Sequence, residues 1–213
     1  MKKKLDVKGI VLAAMLTAMS VVIGIFCKSL LNFADGIFRI SFENLPIIIS
    51  GVVFGPAVGT LVGVGSDLIS YLLSPQTYPP NLIVTVGAGA IGFVAGIVAK
   101  YIVRERSTKQ FVVACVSAHV VGSLIIKTVG LFEFYSWLVL WRIPLYTIIT
   151  TVEVIVITLL YKNSAVRKLL DREGARIEEE NSTRVGTNGK TSASEDDIDG
   201  IDASRDGGSS DEL

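Results

Sequence analysis

Two cysteines and one histidine are all that this chain of 213 residues offers for thiol or imidazole chemistry. Cys27 and Cys115 are isolated thiols, which give neither a disulfide framework nor a CxxC redox pair. His119, read without Cys or acidic partners at ligand spacing, is expected to be structural rather than a metal ligand. HExxH, GxSxG and clustered Cys and His are absent, which removes the hydrolase and metalloenzyme signatures. A phosphate-binding loop is lacking as well. The segment "RVGTNGKT" at 184–191 ends like one, but Arg184 stands where its first glycine belongs, and no strand precedes it. No catalytic residue, metal site or cofactor is therefore expected, and energy for moving a solute uphill would have to come from elsewhere.

Net charge is also lacking, but only in the sum. Twenty Lys+Arg balance twenty Asp+Glu over the chain, while residues 1–170 carry +8 and residues 171–213 carry −8. The last 43 residues are rich in Ser, Gly, Asp and Glu and nearly devoid of large apolar side chains. Such a segment cannot bury enough apolar surface to offset its chain entropy, so it is read as a disordered acidic tail.

What the first 170 residues do contain is long apolar runs. A hydrocarbon core about 30 Å thick is crossed by roughly 20 apolar residues in a helix. Six candidate spans can be drawn: Ile10–Phe26, Leu45–Phe54, Ala57–Leu73, Leu82–Val103, Phe111–Val129 and Trp137–Tyr161. The second is short and runs straight into Gly55-Pro56, where proline ends or kinks a helix. Basic residues favour the cytoplasmic side, and placing both termini there collects Lys2, Lys3, Lys4, Lys8, Lys100, Arg104, Arg106, Lys109, Lys162, Arg167 and Lys168. Lys28, Arg39, Lys127 and Arg142 are left outside. The basic N-terminus and first run are kept as helix rather than signal peptide, because no small-residue cleavage pattern follows convincingly.

The exterior loops of this scheme, 27–44, 74–81 and 130–136, hold the polar and aromatic groups that a small-solute pocket needs. The alternative for Tyr135, Trp137 and Trp141 is an interfacial aromatic belt. Gly51, Gly55, Gly59 and Gly63, and Ala88, Gly92 and Gly96, recur every fourth residue and are read as close helix packing inside the chain. Ala14 and Ala18 form an AxxxA face that can either pack internally or receive a partner helix. A charge within the bilayer costs about 2.5–3.5 kcal/mol and so needs a polar interior or a function. Asp67 shares a face with Ser70 and Tyr71, and the alternative to binding is a helix-to-helix hydrogen bond. Glu153 is expected to be a hydrogen-bonded interior carboxyl.

The run "RISFENLPIIISGVVFGPAVGTLVGVGSDLISYLLSP" at 39–75 resembles the central signature of folate-family substrate-binding (S) components of energy-coupling factor (ECF) vitamin transporters. The matching features are Arg39-x-Ser41-Phe42, Leu45-Pro46-Ile47, Gly51-x-x-Phe54-Gly55-Pro56, and Asp67 followed by Tyr71-Leu72-Leu73. "WRIPLYTII" at 141–149 resembles the opening of the last helix in that family, and "AAMLTA" at 13–18 its alanine motif. The resemblance spans roughly residues 8–162 and leaves out the acidic tail.

It implies an all-α membrane protein of six transmembrane helices, multi-pass in a bacterial plasma membrane, that binds a vitamin and is not an enzyme. Capture would occur through the loops after helices 1, 3 and 5. The implied partners are the vitamin, a transmembrane coupling subunit, two cytoplasmic ATPases and membrane lipid, with no nucleic acid. For folate, the tail carboxylates would meet Arg39 or Arg142, the pterin Asn81 and a carboxylate, and the flat rings Tyr71, Tyr78 or Trp137, with Glu43 accepting from ligand N–H groups and Asp67 a further binding candidate. Glu43 could instead pair with Arg39. Ala14 and Ala18 would meet the coupling subunit. Another vitamin, pantothenate or a queuosine precursor remains open as ligand, and an autonomous small channel is the alternative from a different class.

Overall fold

The computed structural model describes residues 7–30, 32–33, 38–39, 42–73, 82–103, 107–135, 142–176 and 179. They are almost entirely helical, as chains in lipid must be when every backbone N–H and C=O has to be satisfied internally. The helices are α1 (Val7–Leu30), α2 (Asn44–Phe54), α3 (Pro56–Leu73), α4 (Leu82–Ile97), α5 (Thr108–Ala118), α6 (Lys127–Tyr135) and α7 (Arg142–Lys162). A π-helical turn, Val98–Ile102, prolongs α4, and a π-helical segment, His119–Ile126, joins α5 to α6 in one continuous rod. Between α1 and α2, β1 (Asn32–Phe33) and β2 (Phe38–Arg39) form a two-residue antiparallel ribbon in which Asn32 faces Arg39 and Phe33 faces Phe38.

Five of these helical stretches among the described residues are long and apolar enough to cross a membrane: Val7–Leu30, Pro56–Leu73, Leu82–Ile102, Thr108–Gly130 and Ile143–Lys162. The expected second span is the exception. α2 has 11 residues and is too short for that criterion. It begins with Pro46 in its first turn, where the missing N–H is tolerated, and it ends at Gly55. That residue has φ 89°, a left-handed conformation that glycine adopts without a Cβ clash. The Gly55 N–H donates to the Gly51 carbonyl at 2.9 Å, and the Gly55 carbonyl accepts from Gly59 N–H at 3.0 Å. A single residue thus closes α2 and opens α3, with Pro56 at the first helical position.

α3 packs on α4, and α2 lies against both. The regular glycines do what their spacing predicts. A Cβ on Gly92 would lie 2.9 Å from the Gly59 Cα, and one on Gly51 would lie 3.1 Å from the Gly96 nitrogen, so these backbones touch. α1 packs on α2 and α3, and α7 packs on α5 and the π segment. Ile47, Ile48, Ile91, Ile149 and Ile157 are among the most deeply buried side chains. At the far end, Gln110 Nε2 donates to the carbonyls of Ala99 (2.9 Å) and Val103 (2.7 Å), which satisfies orphan acceptors where α4 stops. Phe111 and Tyr161 pack ring to ring at 5.0 Å beside this cap.

The helices run further than the expected loop boundaries. α1 continues through Cys27 and Lys28 to Leu30, and α6 carries Glu133, Phe134 and Tyr135, which the hydropathy pattern places in an exterior loop. Nothing in "KTVGLFEFY" breaks a helix except Gly130, which costs only about 1 kcal/mol relative to alanine. Residues Lys4–Gly174 form one compact unit, helical again over 164–174, whereas the sequence starts its tail at 171. The other unit, Met1–Lys3 with Ala175–Leu213, has residues 175, 176 and 179 described, all helical.

Candidate functional site

Polar side chains gather at the end of the bundle where α1 and α3 finish and α2 and α4 begin. Glu43, in the turn before α2, is buried. Its carbonyl accepts from Ser20 Oγ at 2.7 Å. Its carboxylate lies over Gly24, where a Cβ would come 2.6 Å from Oε2. Lys127 Nζ stands 4.0 Å from Glu43 Oε1, with both side chains almost fully buried. The Lys127 stem crosses α4 at Gly87, where a Cβ would come 2.6 Å from Lys127 Cγ. Lys28 Nζ donates to Ser70 Oγ at 2.7 Å, and Ser70 Oγ is itself 3.0 Å from where a Gly24 Cβ would be. Two glycines, one on α1 and one on α4, therefore make room for a carboxylate and an ammonium that approach from opposite sides.

Asp67 lies on the same end, half-buried, and accepts from Thr85 Oγ1 at 2.7 Å across α3 and α4. This is the helix-to-helix hydrogen bond that the sequence offered as the alternative to binding. Tyr71, one turn on, is also half-buried. Arg39 and Arg142 are placed by their backbones, at the end of β2 and at the first position of α7. Tyr78, Asn81 and Trp137 lie outside the described residues. Ala14 and Ala18 are exposed, on a face of α1 with Ile10, Val11, Met15, Met19, Val22 and Phe26, while Gly9, Ser20, Val21, Gly24 and Cys27 make the buried face. The AxxxA motif is thus not consumed by packing within the chain.

Sequence reasoning missed Lys127. The charge pattern places it among the exterior basic residues, yet it is 4% exposed and meets Glu43 inside the bundle. It also separated His119 from any Cys or acidic partner. Cys115 is one helical turn before His119 and Glu153 approaches from α7, so that His119 Nε2 and Glu153 Oε2 form a close buried hydrogen bond. The i, i+4 spacing of Cys115 and His119 was the available signal. The expectation of a hydrogen-bonded interior Glu153 holds.

A family model described as "ECF transporter, substrate-specific component" matches residues 8–170, three-quarters of the chain and nearly all of the helical bundle. The chain belongs to that family. Its members are membrane transport components that bind substrate, which is not an enzyme role. This S component has the same fold as a crystal structure of FolT bound with folic acid, at TM-score 0.54 and 23% identity, with 73% of this chain and 90% of that chain covered. A search of curated proteins found no match.

Proposed function

We propose that this S component captures a folate-class vitamin at the polar end of the bundle and passes it inward when joined to a membrane coupling subunit and two ATPases. The observation that carries this reading is the buried Glu43 between Gly24 and Lys127, at the end where α1 and α3 finish and α2 and α4 begin. At 4 Å and an effective dielectric of 20, the Coulomb attraction is about 4 kcal/mol. Removing each ion from water costs several kcal/mol. The pair therefore adds little net stability, which favours a role in recognition.

A pterin ring presents N–H donors suited to a carboxylate such as Glu43. The glutamate tail presents carboxylates suited to Arg39, Arg142 or Lys28, and Tyr71, Tyr78 and Trp137 supply flat walls. Asn81 is the amide partner for the ring, and Asp67 keeps α3 and α4 in register beneath it. The fold shared with folate-bound FolT supports this ligand class. The bundle is read as six crossings with both termini cytoplasmic, α2 being the short one, and with residues 171–213 as an acidic tail. Burial of Lys127 leaves Lys28, Arg39 and Arg142 as the exterior basic residues, which sharpens the charge asymmetry.

The test is a folate titration of the purified chain in detergent, read by Trp137 and Trp141 fluorescence with inner-filter correction and with pantothenate and riboflavin as controls. Saturable quenching by folate alone supports the reading. Silence toward folate from a folded, ligand-free sample moves the ligand to another vitamin, and silence toward a whole vitamin panel removes the binding role. The open α1 face makes a separate prediction: Ala14→Trp is expected to abolish uptake in cells containing the coupling complex while folate binding by the isolated chain is unchanged.

A further inference from the structure

Halfway along the bundle, Cys115 on α5, His119 at the start of the π segment and Glu153 on α7 bring one sulfur, one ring nitrogen and one carboxylate oxygen within 4.8 Å of one another. All three residues are 0% exposed. Their environment is apolar helix, where an ionised group without compensation is costly. Two details point beyond a hydrogen-bonded pair. Ser123 Oγ lies 3.2 Å from His119 Nδ1 and so engages the far ring nitrogen, leaving Nε2 directed at Glu153. Glu153 Oε1 is buried with no hydrogen-bond partner among the described residues, an expensive state for a carboxylate oxygen.

We propose that Cys115, His119 and Glu153 form an internal binding site for a divalent cation of the zinc class, which ties α5 to α7. The donor set selects the ion. Thiolate and imidazole suit a borderline-soft metal and exclude magnesium or calcium, which take oxygen ligands. Sγ, Nε2 and the two oxygens of Glu153 supply four donors, and the fourth is the otherwise orphaned Oε1. Metal–ligand distances of about 2.0–2.3 Å are reached by rotamer-scale movements, with the His119–Glu153 pair opening and Cys115 drawing in. Ser123 holds the imidazole from its other nitrogen, as outer partners of ligating histidines do. Charge also balances: the Cys115 thiol releases its proton to solvent on binding, and a divalent ion with one thiolate, one carboxylate and a neutral imidazole sums to zero. A neutral assembly is the form an apolar interior accepts most readily.

The test uses the full chain purified in detergent from cells grown either in ordinary medium or with added Co²⁺. Elemental analysis is expected to find one zinc per chain in the first case and one cobalt in the second, the latter with a near-ultraviolet thiolate-to-cobalt absorption band. Cys115→Ser should eliminate the band, and Ser123→Ala should weaken metal retention against a chelator roughly ten- to a hundredfold. The band in the unaltered protein is a signature that needs no variant to fold. Folded wild-type protein free of metal from both cultures overturns the proposal, as does bound cobalt without the thiolate band. In either case the cluster is a buried hydrogen-bonded group and not a thiolate-ligated metal site.

Discussion

The α2–α3–α4 side of the bundle and its α5–α7 side are held together in different ways. In the first, glycines bring backbones into contact, and Gly51, Gly59 and Gly92 leave no space for a side chain. In the second, α7 meets the π segment through a buried polar contact, Glu153 on His119, with Ser123 bracing His119 from within the same segment, and Lys127 of α6 reaches across to Glu43 before α2. The rod that carries these groups is wound as a π-helix from His119 to Ile126, a conformation that is rare and frequent at functional sites. Backbone contact permits essentially one geometry. Contact through side chains keeps the backbones further apart, so single substitutions act on the two sides through different interactions.

The strongest way to break the contrast is Gly92→Val. It places two methyl groups against the Gly59 backbone and should cost more than about 4 kcal/mol, seen as loss of folded protein in size-exclusion chromatography. Lys127→Met attacks the other side. Removing the Lys127 ammonium from the buried Glu43 carboxylate should lower stability by about 3 kcal/mol. Adding Glu43→Gln should return most of that loss in a double-mutant cycle of thermal unfolding, which backbone packing would not do. Thr85→Val sharpens the comparison at smallest amplitude. Its hydroxyl bridges α3 and α4 within the glycine-packed side, so its loss should cost only about 1 kcal/mol in the same assay. An effect as large as that of Lys127→Met would mean that polar contacts govern both sides alike.

Much of the fold was legible because membrane helices announce themselves by length and composition. Gly55-Pro56 marked the α2–α3 turn, and the four-residue glycine spacing marked the tightest packing. The pairing of polar groups was harder to read. α5 and α7 are apolar on most of their surface, so periodicity does not reveal which side faces a neighbour. Lys127 sits near the end of an apolar run and was assigned by charge statistics to an exterior position. Its partner Glu43 lies in a distant turn, and the room for the Lys127 stem is made by Gly87, on a third helix. His119 suffered similarly, since Glu153 is 34 residues away, although Cys115 was within reach of a helical count. Glu43 and Asp67 stand out in the sequence because a carboxylate beside long apolar runs needs a reason that composition alone can pose.

The brevity of α2 has a consequence for how the chain crosses its membrane. Eleven residues at 1.5 Å each give a rod about 16 Å long, roughly half of a 30 Å hydrocarbon core. Its lone connection to α3 is Gly55. A segment of that length reaches only half-way across by itself, and its packing on α3 and α1 with a one-residue turn makes α2 and α3 a single hairpin. Ser20 Oγ, which donates to the Glu43 carbonyl, ties the head of that hairpin to α1.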